Sequence, residues 1–327
     1  MKTVKYSIAD LNFSNSIIKD YLRNGESIEY QSFQPSIEGI QEALAERNFQ
    51  IEQRKTLVSV LHKQLEEVNS LSSKEHITNQ IDQLKSSDVF TITTGQQLHP
   101  FLGPGYVVIK ILETIKLCKE INDSSVNTKK VIPVFWLASE DHDTLEISEI
   151  RLFGDDIKFD FPDNIATGKI PTQLLQEGIQ KIEQKLGNEA QGYSFFQLCK
   201  KAYEEHDNLS QATRAIVYEL FGKDGILVID ADEDVLKQQF KNIVQEEIEQ
   251  QTTTKIQKKV KEDFENKGWH YQVTPRTNNL FTIDKVTFER SKVTAEKYSP
   301  DNNYSPNALL RPLYQETILP NVAYIGG

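Results

Sequence analysis

The sequence predicts an α/β fold built on a parallel sheet, and two observations from residues 89–150 support this prediction. First, two apolar runs, 89–93 and 131–137, have the composition of buried strands. Second, a turn rich in glycine and proline and an amphipathic helix at about 104–121 lie between these runs. A strand, a helix and a second strand in this order form a βαβ unit, in which the strands are parallel and the crossover is right-handed.

The composition argues against several classes of protein. The chain has 327 residues, and its 37 basic and 48 acidic residues give a net charge of −11, which argues against a nucleic-acid-binding surface. No apolar run approaches the ~20 residues of a membrane span, and the N-terminus lacks the apolar core of a signal peptide. The two cysteines, Cys118 and Cys199, do not make a disulfide framework, so we predict a cytoplasmic protein.

Residues 1–88 are predicted to form a helical lead-in that packs on the core. A short helix is expected at about 14–21, a longer helical pattern runs from Ser36 to about residue 68, and a third helix follows at about 73–84. Ser36 is a suitable N-cap for the longer helix. We interpret these helices as scaffold.

The rest of the chain is divided by its changing pattern of strands and helices. The first half of the core is placed at 89–149, a connecting insertion at 150–222, a core strand with helices at 223–268, a small β insertion at 269–304, and a second core segment at 305–327. Within these segments we expect a hairpin at 150–161, helices at 172–186, 194–206 and 209–221, a strand at 225–231, a helical stretch at 235–267 broken near 250–254, a hairpin of 281–283 with 286–290, and a turn-rich linker at 299–306.

The last residues of the sequence have the pattern of an internal segment of a fold. An apolar run at 322–325 is followed by Gly326 and Gly327, which resembles the start of another strand, turn and helix. We therefore expect the chain to be a fragment.

The turn after the first strand is one candidate site, because open α/β sheets bind ligands at the carboxyl ends of their strands. Glycines in this turn, including Gly103 and Gly105, allow close approach of the backbone to a ligand. The helix that begins near Pro104 would direct free N–H groups at an anion, and Lys110 within it is either a charge partner or solvated. The turn is neither a P-loop nor GxGxxG, so a purely structural turn stays open as the alternative. The first residues of the turn are Thr94, Gly95, Gln96 and Gln97.

The acidic cluster after the second strand is the other candidate. Three carboxylates beside one imidazole are costly at the end of a buried strand unless the charges are paired or used. His142 could then be a general base held by a carboxylate. A metal site is the weaker interpretation because HExxH and CxxC are missing, and a solvated helix N-terminus is the structural alternative. The cluster consists of Glu140, Asp141, His142 and Asp143.

Residues elsewhere are weaker candidates. Arg311 stands before a proline-led helix and could bind a carboxylate or phosphate with two hydrogen bonds, or form a structural salt bridge. Trp136 is expected in the core at the end of a strand, where it could line a pocket. Asp230 and Asp232 follow the third strand, and we favour a role as N-cap of the next helix.

The combination of three motifs resembles a known family. The motifs are TGQQ with the following GPGY and lysine, then VIPVFWLASEDHD, then SPNALLRPLYQETILPNVAYIGG. In kind and order they are similar to the motifs of the cysteine ligases of bacillithiol biosynthesis, the BshC family. The resemblance covers essentially the whole chain. It implies a Rossmann-like core similar to class I aminoacyl-tRNA synthetases and nucleotidyltransferases, with connecting insertions and a C-terminal coiled coil that forms a homodimer. Gly105 departs from the family, which more often has a bulkier residue there.

The resemblance also implies a reaction and roles for the candidate residues. The family adds cysteine to the amino group of glucosaminyl-malate, the last step of bacillithiol biosynthesis, and its likeness to adenylating enzymes suggests ATP or ADP as a cofactor, with no metal predicted. Under this interpretation Glu140 to Asp143 bind an amine, His142 accepts a proton and Arg311 holds a carboxylate. The alternative is a non-catalytic Rossmann-like module that binds a small ligand or a partner. The predicted substrate- and nucleotide-binding residues are Thr94, Gly95, Gln96, Gln97, Gly103, Tyr106, Lys110, Trp136, Asn307, Arg311, Gln315 and Glu316.

Overall fold

A computed structural model describes residues 16–24, 33–69, 71–124, 129–187, 191–273, 276–294 and 296–326. The strands are β1 (Val89–Gln96), β2 (Lys130–Leu137), β3 (Glu149–Leu152), β4 (Asp155–Lys158), β5 (Leu227–Asp230), β6 (Leu280–Ile283), β7 (Arg290–Lys292), β8 (Tyr304–Pro306) and β9 (Asn321–Tyr324).

Helices surround these strands. The α-helices are α1 (Ser16–Asn24), α2 (Ile37–Glu46), α3 (Ile51–Glu66), α4 (Lys74–Gln83), α5 (Tyr106–Asp123), α6 (Thr144–Ile147), α7 (Gln176–Leu186), α8 (Tyr193–Glu205), α9 (Leu209–Phe221), α10 (Asp234–Gln250), α11 (Thr252–Asn266) and α12 (Arg311–Ile318). Short 3-10 turns lie at Pro100–Leu102, Thr167–Lys169, Thr172–Leu175 and Gly222–Asp224. Among the described helices, none has the length and apolar character needed to cross a membrane.

The central sheet has the strand order β5-β2-β1-β9, and its neighbours are all parallel. This confirms the predicted α/β fold with a parallel sheet and the βαβ unit of β1, α5 and β2. The chain adds β2 and then β5 on one side of β1, and it adds β9 on the other side. The order therefore reverses between β1 and β9, which is the topological switch point where open α/β sheets bind ligands.

The sheet is buried on both faces, as its nearly continuous apolar strands require. Phe90 and Ile92 of β1 pack in a small cluster with Leu44 of α2 and Cys118 of α5. The neighbouring residue Val89 belongs to the main core, with residues of α3, α4, α9, α10 and α12. Alternate residues of a strand point to opposite faces, so β1 is the centre of a three-layer arrangement.

Three predicted elements are wrong in detail. The helical pattern at 36–68 is two helices, because the backbone at Arg47 is extended and its guanidinium donates a 2.8 Å hydrogen bond to the carbonyl of Glu316. The predicted strand at 286–290 begins only at Arg290, because Asp284 accepts hydrogen bonds from the amides of Val286 and Thr287 and closes a turn there. The predicted linker at 299–306 contains β8, which pairs with β6.

Two smaller antiparallel sheets lie outside the central sheet. The hairpin of β3 and β4 matches the prediction, and β6 pairs with β7 on one edge and β8 on the other. The helical stretch at 234–266 breaks at Gln251, whose φ of 54° is left-handed. The predicted helix at 14–21 begins outside the described residues, and the domain boundaries stay predictions.

Gly168 allows the insertion to pack against the core. A Cβ atom at this position would lie 2.5 Å from the side chains of Ser139 and Ser210 and 3.1 Å from the Cα of Ser139. Gly168→Ala is therefore expected to lower the free energy of unfolding by about 1–3 kcal/mol, measured by urea denaturation.

Gly105→Ala is the matched control for this change. Gly105 has an α-helical φ of −55°, and a Cβ atom would meet nothing within 4 Å. Equal denaturation midpoints for the two variants would contradict the packing assigned to Gly168.

Candidate active site

The carboxyl ends of the four parallel strands carry the polar residues of the candidate site. Gln96 and Gln97 end β1, and Asp141 with His142 follows β2. Tyr324 ends β9, and the position of a Cβ on Gly95 would be 3.4 Å from its hydroxyl oxygen. The edge of the sheet therefore brings together residues that are far apart in the sequence.

Asp141 is at the centre of this group. Its Oδ1 accepts hydrogen bonds from the backbone N–H groups of His142 (2.8 Å) and Asp143 (3.3 Å). Its Oδ2 lies 3.4 Å from Nε2 of Gln97 and 3.8 Å from Nη2 of Arg311. Burial alone would raise the pKa of Asp141, but the nearby imidazole of His142 and the charges of Arg311 and Arg290 lower it below its usual range. Asp141 is therefore a carboxylate at neutral pH.

Arg311 presents an unused guanidinium at the same edge. Its side chain is 31% exposed, and it donates no hydrogen bond to any described residue. Its ion-pair partner Asp141 lies at 3.8 Å, which is too long for a hydrogen bond. A guanidinium has five N–H donors and can bind a carboxylate or phosphate in a bidentate arrangement, with two parallel hydrogen bonds. Arg311 can therefore bind an anionic ligand without breaking an existing hydrogen bond.

Lys110 is the second cationic group here, and it is buried rather than solvated. Its Nζ donates to the carbonyl of Gly95 (2.7 Å) and to Oε1 of Gln96 (2.9 Å), and it forms no ion pair with a described carboxylate. Gln96 in turn donates to the hydroxyl of Tyr106 (3.0 Å). Burial lowers the pKa of Lys110. A buried ammonium with only neutral partners favours the approach of an anion.

Arg290 is a residue of the site that sequence reasoning missed. It lies in β7, in the small β insertion, and it is buried. Its Nη1 is 3.0 Å from Nδ1 of His142, and its guanidinium carbon lies 4.0 Å from the ring centre of Phe281. Nothing in the local sequence marks Arg290, because its partner is 148 residues away. The insertion therefore contributes directly to the site.

Glu140 belongs to a buried ion network, and its charge also opposes the lowering of the pKa of Arg290 by burial. Its Oε1 lies 2.8 Å from Nζ of Lys237, which is 2.5 Å from Oδ1 of Asp232. Lys169 forms the second ion pair of Asp232, at 3.0 Å. The prediction that Asp232 caps the next helix is wrong, because Glu233 is at the N-cap position and Asp232 is occupied by the two lysines. Glu140 is thus neutralised before any ligand binds.

The structure brings four predicted residues together around one centre, namely Gln97, Asp141, His142 and Arg311. A neighbouring group contains Gln96, Tyr106 and Lys110. Asp143 is exposed beside them.

The other predicted residues have structural contacts. Gly95 lies opposite Trp136, where a Cβ would be 3.1 Å from its carbonyl oxygen, and Gly103 has a φ of +65°. Thr94 donates to the carbonyl of Ile325, Trp136 is buried against Tyr314, Asn307 donates to Asn279, Gln315 is buried in α12, and Glu316 accepts from Asn321 and pairs with Arg47. Their proposed roles in binding stay predictions.

Two further observations concern the chemistry of the site. Burial raises the pKa of the thiols of Cys118 and Cys199, so neither is a ready nucleophile. The described residues contain no group of three histidine, cysteine, aspartate or glutamate side chains arranged to hold a metal ion.

The fold and this edge define a class, an α/β protein whose charged and polar side chains gather at the switch point of a parallel sheet. The sequence matches the family described as "Bacillithiol biosynthesis BshC, N-terminal Rossmann-like domain" over residues 1–303 and 284–327. The chain belongs to this BshC family.

The names of similar proteins agree with this assignment. Proteins of Flavobacterium johnsoniae and Cytophaga hutchinsonii are 34% and 31% identical over 100% and 99% of this chain. A protein of Natranaerobius thermophilus is 28% identical over 77% of the chain. Each is named "Putative cysteine ligase BshC". The chain spans 65% and 63% of the lengths of the first two.

Proposed function

We propose that this chain is the Rossmann-like part of a ligase that adds cysteine to the amino group of glucosaminyl-malate, the last step of bacillithiol biosynthesis. The family and the names of its relatives support a ligase of this pathway. The observation that carries the proposal is the guanidinium of Arg311 at the switch point, which donates no hydrogen bond to a described residue, because malate presents carboxylates for such a group to bind.

Two cationic groups at one edge suit a ligand with two carboxylates. Arg311 binds one carboxylate of the malate part through two N–H donors, and the buried charge of Lys110 attracts the other. Asp141 binds the ammonium form of the amine, because it is ionised and lies beside Gln97, with 17% of its side chain exposed. This arrangement holds the amine close to the carboxyl ends of β1 and β2.

The reaction joins the amine nitrogen to the carboxyl carbon of cysteine, with net loss of water. Because this condensation is uphill in water, the carboxylate must be activated. One feature of this edge suits a nucleotide, because the start of α5 offers N–H groups to a phosphate and Lys110 offers a positive charge that no described carboxylate pairs with. Bound ATP would supply the activation of the cysteine carboxylate. The cytoplasmic location and the homodimer through a C-terminal coiled coil belong to the same proposal.

Cells that lack the gene are expected to contain no bacillithiol, and expression of the full-length protein is expected to restore it. Asp141→Asn in the full-length protein is expected to lower the rate of bacillithiol formation by about 100-fold, since an ionised group that binds the amine is lost. The thiols are measured by chromatography after fluorescent labelling.

Asp163→Asn is the matched control, because Asp163 is an exposed carboxylate. Normal bacillithiol content in the deletion strain would overturn the proposal and favour the alternative of a non-catalytic binding module. Normal activity of the Asp141→Asn protein would overturn only the role of Asp141.

A further inference from the structure

The contacts of Arg290 place its donors in a fixed arrangement. Nη2 donates to the hydroxyl of Ser305 (3.1 Å) and to the carbonyl of Pro306 (2.8 Å), both in β8. The guanidinium also lies 4.0 Å from the ring centre of Phe281 in β6. With Nη2 fixed by these two bonds, Nη1 is directed at Nδ1 of His142, 3.0 Å away, and Nε is buried without a hydrogen-bond partner among the described residues.

The chemistry of the two groups decides where the proton of His142 lies. A guanidinium has only N–H donors, so a nitrogen at hydrogen-bond distance from it must offer a lone pair. Burial is the main cause that lowers the pKa of Arg290 to about 10, and the group is still charged at neutral pH. The Nδ1 atom of His142 is therefore the acceptor, and the ring proton lies on Nε2.

The other charges around His142 are less well placed to change this. Oδ1 of Asp141 is 3.7 Å from Nδ1, beyond hydrogen-bond distance, and it already accepts two backbone N–H groups. Nη2 of Arg311 is 3.8 Å from Oδ2, the other carboxylate oxygen of Asp141. The ring centres of Phe281 and His142 are 5.1 Å apart. The imidazole side chain is 30% exposed, and its Nε2 has no hydrogen-bond partner among the described residues.

We propose that Arg290 is a positioning residue that holds His142 as the neutral Nε2–H tautomer, so that His142 donates a hydrogen bond to an oxygen atom of the substrate. This inference rests on the proposed function for the identity of that oxygen, which belongs to a carboxyl group held beside Arg311. It changes the role predicted for His142, because an imidazole whose Nδ1 accepts from Arg290 and whose Nε2 carries the proton has no free lone pair to accept another.

The tautomer can be measured without any substrate. Long-range proton–nitrogen NMR spectra of the ¹⁵N-histidine-labelled protein at pH 7.5 distinguish the two tautomers, and the His142→Gln spectrum assigns the signal among the six histidines. The expected pattern is a protonated Nε2 and an unprotonated Nδ1. A proton on Nδ1, or on both nitrogens, would overturn the proposal.

Two variants test whether Arg290 is the cause. Asp141→Asn is expected to keep the Nε2–H pattern. Arg290→Met removes the donor to Nδ1 and leaves the carboxylate of Asp141, 3.7 Å from that atom, to favour a proton on Nδ1, so a change to this tautomer is expected. A change in Asp141→Asn would assign the tautomer to Asp141 and overturn the role of Arg290, as would an unchanged pattern in Arg290→Met. If Arg290→Met does not fold, the spectra of the wild type and of Asp141→Asn decide.

Activity in the full-length protein separates a donor from a base. The side-chain amide of glutamine places an N–H near the position of Nε2, so His142→Gln is expected to keep bacillithiol formation within about tenfold of the wild type, whereas His142→Ala loses about 100-fold. Equal loss in both variants would contradict a donor role. Failure of the proposed function is recognised separately, because the wild-type protein itself would then form no bacillithiol.

Discussion

Replacement of Arg311 by methionine is expected to weaken the binding of L-malate by about 30-fold or more, which corresponds to about 2 kcal/mol for the loss of a charged, two-bonded contact. Methionine has a similar length and no charge, so the anion would lose both its hydrogen bonds and its counter-ion. Isothermal titration calorimetry on the chain described above measures the change.

Arg311→Lys is expected to weaken binding by about tenfold, because lysine keeps the charge but loses the planar pair of donors. Arg151 is the matched control, since its side chain is 76% exposed in the β3–β4 hairpin. If Arg311→Met binds malate as tightly as Arg151→Met, Arg311 does not bind the carboxylate.

Replacement of Lys237 by methionine is expected to lower the free energy of unfolding by about 3–5 kcal/mol at pH 7, the usual cost of removing one partner from a buried ion pair. Lys237 is 11% exposed and lies between Glu140 and Asp232, which are 2.8 Å and 2.5 Å away. Without the ammonium, two buried carboxylates lose their common counter-ion, although Lys169 still pairs with Asp232. Chemical denaturation followed by fluorescence measures the loss.

The pH dependence of this effect has a definite sign. Burial lowers the pKa of Lys237, but the charges of Glu140 and Asp232 outweigh burial and raise it. The contribution of Lys237 to the free energy of unfolding is therefore complete below the ordinary lysine pKa of about 10.4, and it is lost as the pH rises through the pKa of the folded state. The pKa of Asp232 is lowered by Lys237 and Lys169 against the effect of burial. The contribution of Asp232 to the free energy of unfolding is therefore present above about pH 3.9 and is lost as the pH falls through the pKa of the folded state.

The loss of unfolding free energy in Lys237→Met should accordingly be largest near neutral pH. It should become smaller towards acid pH, where protonation neutralises the unpaired carboxylates. Lys119→Met is the control, because Lys119 forms an exposed ion pair with Asp123 and such pairs contribute little. A deficit that does not change between pH 7 and pH 4 would contradict the electrostatic explanation.

The elements that the sequence predicts well are those whose pattern is local. The strand–helix–strand unit at 89–137 follows from apolar runs and a turn between them, and the hairpin of β3 and β4 follows from Gly154 between two short strands. The helical pattern predicted at 36–68 is divided into α2 and α3 near Arg47, which contacts Glu316, 269 residues further along. No local periodicity records a contact of that kind.

The candidate site shows the same division. Gln97 and Asp141 could be found because each follows a strand, and the same rule would have found Tyr324 at the end of β9. Lys110 has the sequence context of an ordinary helix lysine, and it is buried only because α5 packs its side chain against the carbonyl of Gly95. Arg290 and Lys237 depend on tertiary packing of the insertion and of α10, so their roles are visible only in three dimensions.

The strand order has a consequence for biosynthesis on the ribosome. β1, β2 and β5 can pair as soon as they emerge, but β9 is synthesised much later, and the hydroxyl of Thr93 finds Asn321 across 228 residues of sequence. Until then one edge of β1 has unpaired backbone groups, which favour association with other chains. Insertion of β9 therefore covers the aggregation-prone edge of β1 and completes the candidate site in one late step. A nascent chain should need chaperone protection until this step, when it becomes competent to bind its ligand.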